Sequence, residues 1–250
     1  MSNPPLYRVA DQALACYPMI REGDSVLLGA SGGKDSTALA EYLASLRRRR
    51  FPLRFRLEAL HVRTELESPP GGAPPASSGQ PETGFPAVRA LFSAWDIPVH
   101  EIPVSVLGRL KPGRKMNCWW CSTQRRTELN NFAVANGFNK IALGHHLDDI
   151  LETLLMNALG RGELSTMPPV LRYEKYPVEI IRPLCFADTE MVVRHAENRG
   201  WRAMTCTCMW QDNSRRKEAR KKLYALTGGD YRQKRMLLEA LRNIKSGYLP

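Results

Sequence analysis

The chain has 250 residues, 43% of them hydrophobic and 24% charged, with a formal net charge of +11. That length and apolar content suit a folded domain with a sizeable core, and they exclude a disordered chain or a disulfide-stapled miniprotein. No apolar run approaches membrane-spanning length, and the N-terminus lacks a charged-then-apolar leader, so a cytoplasmic protein with no membrane partner is expected. The basic balance points to a polyanionic partner. In a reducing compartment, the six cysteines at 16, 118, 121, 185, 206 and 208 favour metal or sulfur chemistry over disulfides.

Apolar residues Leu6, Val9, Ala10, Ala13, Leu14 and Tyr17 space a helix within 5–21. Residues 25–30 read as a first strand and Ser36 to Leu46 as a helix. Arg47-Arg48-Arg49-Arg50 follows where cations suit the helix dipole, as a solvated end or, alternatively, a phosphate-contact patch. Phe55 to Val62 reads as a second strand. Strand–helix–strand of this length predicts a parallel βαβ unit, whose ligands sit beyond the strands' carboxyl ends; Ser31 and His61 then share one rim. Residues 67–84 are rich in Pro, Gly and Ser and predict a flexible loop without chemistry.

A helix is expected from Pro86 to Trp95, a third strand from Ile97 to Val104, and a helix from Cys118 to Asn136 stopped by Gly137. Lys140 to Leu143 reads as a buried fourth strand and Val178 to Ile181 as a fifth, with Met167-Pro168-Pro169 breaking structure between them. Asp188 is placed to cap a helix running to Asn198. Two basic helices close the chain from about Asn213 to Lys245. The resulting expectation is an α/β fold: a central parallel five-stranded sheet, helices on both faces, and a basic helical C-terminal tail. The division is 1–212 for the catalytic domain and 213–250 for the extension.

Chemistry concentrates at Ser31-Gly32-Gly33-Lys34-Asp35-Ser36, between the first strand and its helix. Two glycines let backbone N–H groups approach a phosphate, and Ser31, Ser36 and Lys34 add donors and charge. This is not a Walker A loop: Leu28 stands where its first glycine should be and Asp35 where its Ser/Thr should be. It resembles the PP-loop of the ATP pyrophosphatase superfamily, whose members split ATP between the α- and β-phosphates and adenylylate a substrate.

Cys118-x-x-Cys121 is half of a metal-site signature and fits zinc, an iron–sulfur cluster or a redox dithiol. Cys206 and Cys208 lie where the fold could bring them to the same rim. Three thiolates on a [4Fe–4S] cluster leave one iron open to inorganic sulfide, whereas four would suit a structural zinc. Cys16 and Cys185 read as buried core thiols. In His145-His146-Leu147-Asp148-Asp149, carboxylates at a helix start could hold Mg²⁺ against ATP phosphates or orient a nucleophile. Asp148 fits a cap, and Asp149 a functional role. Arg125 shares a helix face with Cys121 and could neutralise phosphate charge in a transition state. Arg215-Arg216-Lys217, Arg220-Lys221-Lys222, Arg232, Lys234 and Arg235 are candidates for RNA backbone contact, and Trp119 or Trp120 for stacking a base.

These motifs, with Ile150-Leu151, Thr153-Leu154 and Ile181-Arg182-Pro183-Leu184, occur together and in order. From Leu6 to Arg216 the chain resembles the TtcA family of tRNA 2-thiocytidine synthetases, within the TtcA/TtuA tRNA thiolases. The resemblance implies a Rossmann-like adenine nucleotide α-hydrolase fold. ATP and Mg²⁺ would sit at Ser31, Gly32, Gly33, Lys34, Asp35 and Ser36, with His61 and Gly144 beside them. Asp149, Arg125 and Lys34 would act near the phosphates. A [4Fe–4S] cluster would be held by Cys118, Cys121 and one further cysteine. Aligning on Gln211 selects Cys208; counting from the preceding elements allows Cys206. The implied partners are tRNA and a sulfur donor, either a cysteine desulfurase or sulfide, and the resemblance allows a homodimer. The implied reaction adenylylates C2 of an anticodon-loop cytidine and replaces its oxygen with sulfur. Other readings are a 2-thiouridine synthetase of the same group, a lysidine-type PP-loop ligase, and a zinc-stabilised RNA-binding protein without activity. The 67–84 insertion and the Cys-x-Cys spacing depart from the family pattern and bear on substrate choice.

Overall fold

The computed structural model describes residues 5–65, 85–201 and 214–248. The strands are β1 (Ser25–Gly29), β2 (Arg56–Glu65), β3 (Val99–Ser105), β4 (Lys140–Ala142), β5 (Val170–Arg172) and β6 (Glu179–Ile181). The helices are α1 (Pro5–Cys16), α2 (Lys34–Arg47), α3 (Phe85–Ala94), α4 (Cys118–Ala135), α5 (Leu147–Arg161), α6 (Thr189–Asn198), α7 (Ser214–Thr227) and α8 (Tyr231–Ala240). They build one sheet in the order β3-β2-β1-β4-β6-β5. Among the described residues no helix is long and apolar enough to cross a membrane.

β1 is central because Val26, Leu27 and Leu28 are apolar in succession and all fully buried, as a strand covered on both faces requires. Its side chains alternate between two cores. Val26 and Leu28 join the larger core, with Leu39 and Leu43 of α2, Phe92 of α3 and Ile150 of α5. Leu27 joins the smaller one, with Leu60, Ile141, Ile180 and the α4 residues Leu129 and Ala133. Strand order runs one way from β1 through β2 to β3 and the other way through β4 to β6. The switch point therefore opens between the carboxyl ends of β1 and β4, where α/β sheets bind ligands.

The sheet has six strands rather than five. β5 pairs antiparallel with β6, Leu171 opposite Ile180. Pro168-Pro169 lacks the N–H groups of a ladder and marks a break, but the three residues after it are too few to show a sequence period, and they close the sheet's edge. The first helix stops at Cys16, and Cys16 is exposed rather than buried; Cys185 is buried as expected. Gly137, with φ of 71°, follows α4, and Asp188 accepts the Met191 N–H at 2.9 Å as the α6 cap. The arginine run is no free basic end. Arg47 donates to the Trp95 and Asp96 carbonyls, Arg48 and Arg49 pair with Asp96 and Asp11, and Arg50 lies over the Phe51 ring. The 67–84 segment lies outside the described residues.

Candidate functional site

The glycine turn after β1 leaves a helix start open. Gly33 is the α2 N-cap and supplies no side-chain bond, so the N–H groups of the first turn keep no side-chain acceptor. Gly32, at φ of 80°, makes the turn that aims them outward. The turn is knit from within: the Ser31 and Ser36 hydroxyls lie 3.1 Å apart, and Ser36 Oγ and Thr37 Oγ1 donate to the Gly33 carbonyl at 3.0 and 3.1 Å. Lys34 Nζ reaches Asp35 Oδ1 at 2.8 Å, with both side chains about one-third exposed. Such a turn offers oriented donors and a cation to an anion.

His61 extends from β2 beside this turn, as the parallel reading required. Its Nδ1 lies 2.8 Å from the Ala30 carbonyl, and its ring stacks on Phe85 at 3.7 Å between centroids. Gly144, after β4, is packed against the turn's far side. A Cβ there would stand 2.9 Å from the Asp35 carbonyl carbon and 3.0 Å from Ser36 N, so only glycine lets the β4–α5 connection close on α2.

Asp149 stands at the start of α5. His146 is that helix's N-cap, and the two residues form a reciprocal capping box. Asp148, expected as the cap, points away: it accepts the Thr189 N–H at 2.8 Å and pairs with Lys234 at 2.8 Å. Asp149 Oδ2 accepts the His146 N–H at 3.1 Å, and Arg216 Nη2 stands 3.5 Å from Oδ1. Burial alone would raise this carboxyl, but the neighbouring His146, whose N–H it accepts, and the Arg216 guanidinium outweigh it and hold it below the usual carboxylate range. His145 goes the other way. Burial, aided by Arg182, pushes it down to about 4, and its Nδ1 accepts from Arg182 Nε at 3.3 Å, so the ring is neutral at physiological pH.

α4 carries the thiols. Asn117 caps it by accepting the Trp120 N–H at 2.8 Å. Leu129 lies under the β1 end: a Cβ on Gly29 would meet it at 3.4 Å. At about 1.5 Å of rise per residue, Arg125 stands about 6 Å and Cys121 about 12 Å further along the same helix face, toward the rim. Arg125 Nε is buried and has no hydrogen-bond partner among the described residues, a donor left over for something anionic. Cys118 and Cys121 are half-buried on the first turn of α4. Among the described residues no three His, Cys, Asp or Glu side chains converge as a metal site; Cys206 and Cys208 lie outside those residues. Trp120 is pinned by its indole N–H to the Val106 carbonyl at 3.0 Å, and only Trp119 is exposed, at 68%.

The C-terminal cations are not one free patch. Arg216 and Arg220 pair with Glu152, which is fully buried. Lys234 is buried between Asp148 and Asp188, and Arg235 lies 3.5 Å over Phe186. Arg215, Lys217, Lys221 and Arg232 stay exposed without an ion pair among the described residues. Sequence reasoning does not reach the contact of Arg216 with Asp149; its trace is the pair Arg216 and Arg220, one turn apart, facing Glu152 one turn after Asp149.

A parallel sheet whose order switches between a phosphate-type turn and Gly144 gives a Rossmann-like adenine nucleotide α-hydrolase fold. Two solved structures share it. A U34-tRNA thiolase, NcsA, from Methanococcus maripaludis, solved with its [4Fe–4S] cluster, aligns at a TM-score of 0.73 and 23% identity over 96% of this chain and 78% of its own. NMN synthetase from Francisella tularensis aligns at a TM-score of 0.50 and 14% identity, over 96% and 85%. No family model matches the chain. A tRNA-cytidine(32) 2-sulfurtransferase of Anaeromyxobacter dehalogenans is 37% identical over 250 residues, 98% of this chain and 80% of its own length. One from Methylococcus capsulatus is 37% identical over 217 residues, 84% and 69%. The chain belongs to the tRNA-cytidine(32) 2-sulfurtransferase family.

Proposed function

We propose that the protein is an ATP-dependent tRNA sulfurtransferase that converts cytidine 32 of the anticodon loop to 2-thiocytidine, the reaction for which its relatives are named. The observation that carries the reading is the rim itself. The open N-terminus of α2 after β1 and the Asp149 carboxylate after β4 flank the sheet's switch point, and α4, packed over the same sheet, carries two half-buried thiols and an Arg125 Nε without a hydrogen-bond partner among the described residues.

ATP fits the α2 turn through the N–H groups of its first turn, with Lys34 beside the phosphates and Mg²⁺ balancing their charge. The C2 oxygen of cytidine attacks the α-phosphorus, the bond to the β-phosphate oxygen breaks, and pyrophosphate leaves. A sulfur nucleophile from a donor then attacks C2, and the C2–O bond breaks to release AMP. Backbone donors at 31–36 hold the growing negative charge, and Arg125 supplies a guanidinium on the thiol side. Cys118 and Cys121 fit two positions of a [4Fe–4S] cluster, and Cys208 or Cys206 would be the third. When bound, such a cluster supplies an iron open to inorganic sulfide. Residues 1–212 carry the nucleotide turn and the thiols, and 213–250, packed on the same core through Leu223 and Leu238, would present the basic surface that meets tRNA.

Transfer RNA nucleosides from a strain lacking the gene test the substrate. 2-Thiocytidine should vanish with 2-thiouridine intact; loss of 2-thiouridine alone would make the enzyme a uridine thiolase. Anaerobic purification with iron and sulfide quantified tests the cluster: a colourless protein holding one zinc would refute it. About tenfold or greater loss of cluster absorbance is expected in Cys118→Ser and Cys121→Ser.

A further inference from the structure

We propose that Arg216, from the C-terminal helix α7, is a positioning residue for Asp149. The inference rests on the reading of Asp149 as a catalytic group. On α5, Asp149 and Glu152 stand one turn apart; on α7, Arg216 and Arg220 do the same. The two pairs interlock. Arg220 Nε meets Glu152 Oε1 at 2.6 Å, Arg216 Nε stands 3.2 Å from Glu152 Oε2, and Arg216 Nη2 reaches Asp149 Oδ1 at 3.5 Å.

Docking α7 requires only the first of these pairings. Glu152 is fully buried, and Arg220 gives it a charge-assisted hydrogen bond. Arg216 does something else. Its Nε and Glu152 Oε2 are buried, yet no well-aligned hydrogen bond joins them, so Glu152 attracts the guanidinium without fixing its direction. The fork therefore spans two carboxylates, with one end on the structural Glu152 and the other on Asp149. His146 holds Oδ2 of Asp149 from the opposite side. Asp149 is thus clamped between its own capping box and a cation from an element 60 and more residues downstream. The His146 N–H fixes Oδ2, and the Arg216 charge, without a hydrogen bond, draws Oδ1 toward α7, which biases the carboxylate to one orientation and favours its charged form. A lysine could reach either carboxylate but could not bridge both.

The test uses the anaerobically purified full chain with tRNA and ATP, reading pyrophosphate release and thermal unfolding. Arg220→Met removes the hydrogen bond that docks α7 and should lower Tm more than Arg216→Met, although each leaves Glu152 one partner. Arg216→Met should lower kcat about tenfold or more, with KM for ATP changed less than about twofold, whereas Arg220→Met should keep kcat within about twofold of the parent. Arg216→Lys should regain Tm and leave kcat low. Equal kcat losses in Arg216→Met and Arg220→Met, or a parental kcat in Arg216→Met, would reduce Arg216 to a latch and overturn the inference. If Arg216→Met does not fold, parental kcat in Arg216→Lys overturns it instead. Asp149→Asn separates the two readings. Its full activity would remove Asp149 from the chemistry; its inactivity beside a fully active Arg216 variant would sink only the clamp.

Discussion

Gly144 shows how one missing methyl group builds a site. A Cβ there would press into the Asp35–Ser36 backbone at 2.9–3.0 Å, atoms that cannot swing aside. Gly144→Ala should push α2 off its seat, costing about 1–3 kcal/mol of stability, as overpacking does, and weakening ATP binding. Urea unfolding and calorimetric ATP titration read both effects. His145 gives a pH signature. Its folded pKa of about 4 lies below the unfolded value, so the unfolded chain takes up the proton first as pH falls. Its contribution is complete above about pH 6.5 and is lost progressively toward pH 4, amounting to a few kcal/mol at most. Asp149, held low, loses stability in the same acid direction. Denaturation midpoints at several pH values should fall on acidification, and less so in His145→Gln.

Among the elements, the C-terminal helices are held to the body by buried charge. Lys234 of α8 stands 2.8 Å from Asp148 and 3.5 Å from Asp188, and those two carboxylates also take the Thr189 and Met191 N–H groups that begin α6. One lysine thus joins α5, α6 and α8. Lys234→Met would leave two buried carboxylates facing each other without a cation, costing about 3–5 kcal/mol. Adding Asp148→Asn should recover part of that loss. The coupling is read from urea midpoints of the single and double variants. α7 and α8 also place Leu223 and Leu238 in the main core, which makes them part of the folded body in packing terms.

For the whole molecule, the net charge of +11 overstates what is free to meet RNA. Arg47, Arg48, Arg49, Arg216, Arg220 and Lys234 are engaged with acids or carbonyls of the chain itself. Lys217, Lys221 and Arg232 remain exposed. Replacing those three with alanine should weaken tRNA binding and reduce the slope of log affinity against log salt by about 0.7–0.9 for each phosphate no longer neutralised. Filter binding across a salt series measures it. An unchanged slope would move the RNA path to another face.

The nucleotide turn is legible from residues 26–36 alone. An apolar run followed by Ser-Gly-Gly is a local pattern, and strand, turn and helix start are set by neighbours in sequence. The same holds for the α4 thiol pair, for Asp188 as a cap and for Gly137 as a stop, each decided within one helical turn. The sixth strand escapes a sequence reading because three residues carry no period. The sequence reading of Asp148 as the helix cap is overturned, because His146 takes the cap and adjacent acids at a helix start look alike in sequence. Only the packing of α6, α7 and α8 against α5 turns Asp148 toward Lys234 and Asp149 toward Arg216. Charge partners are chosen across distances of 60 residues and more, and that choice is made by the tertiary fold.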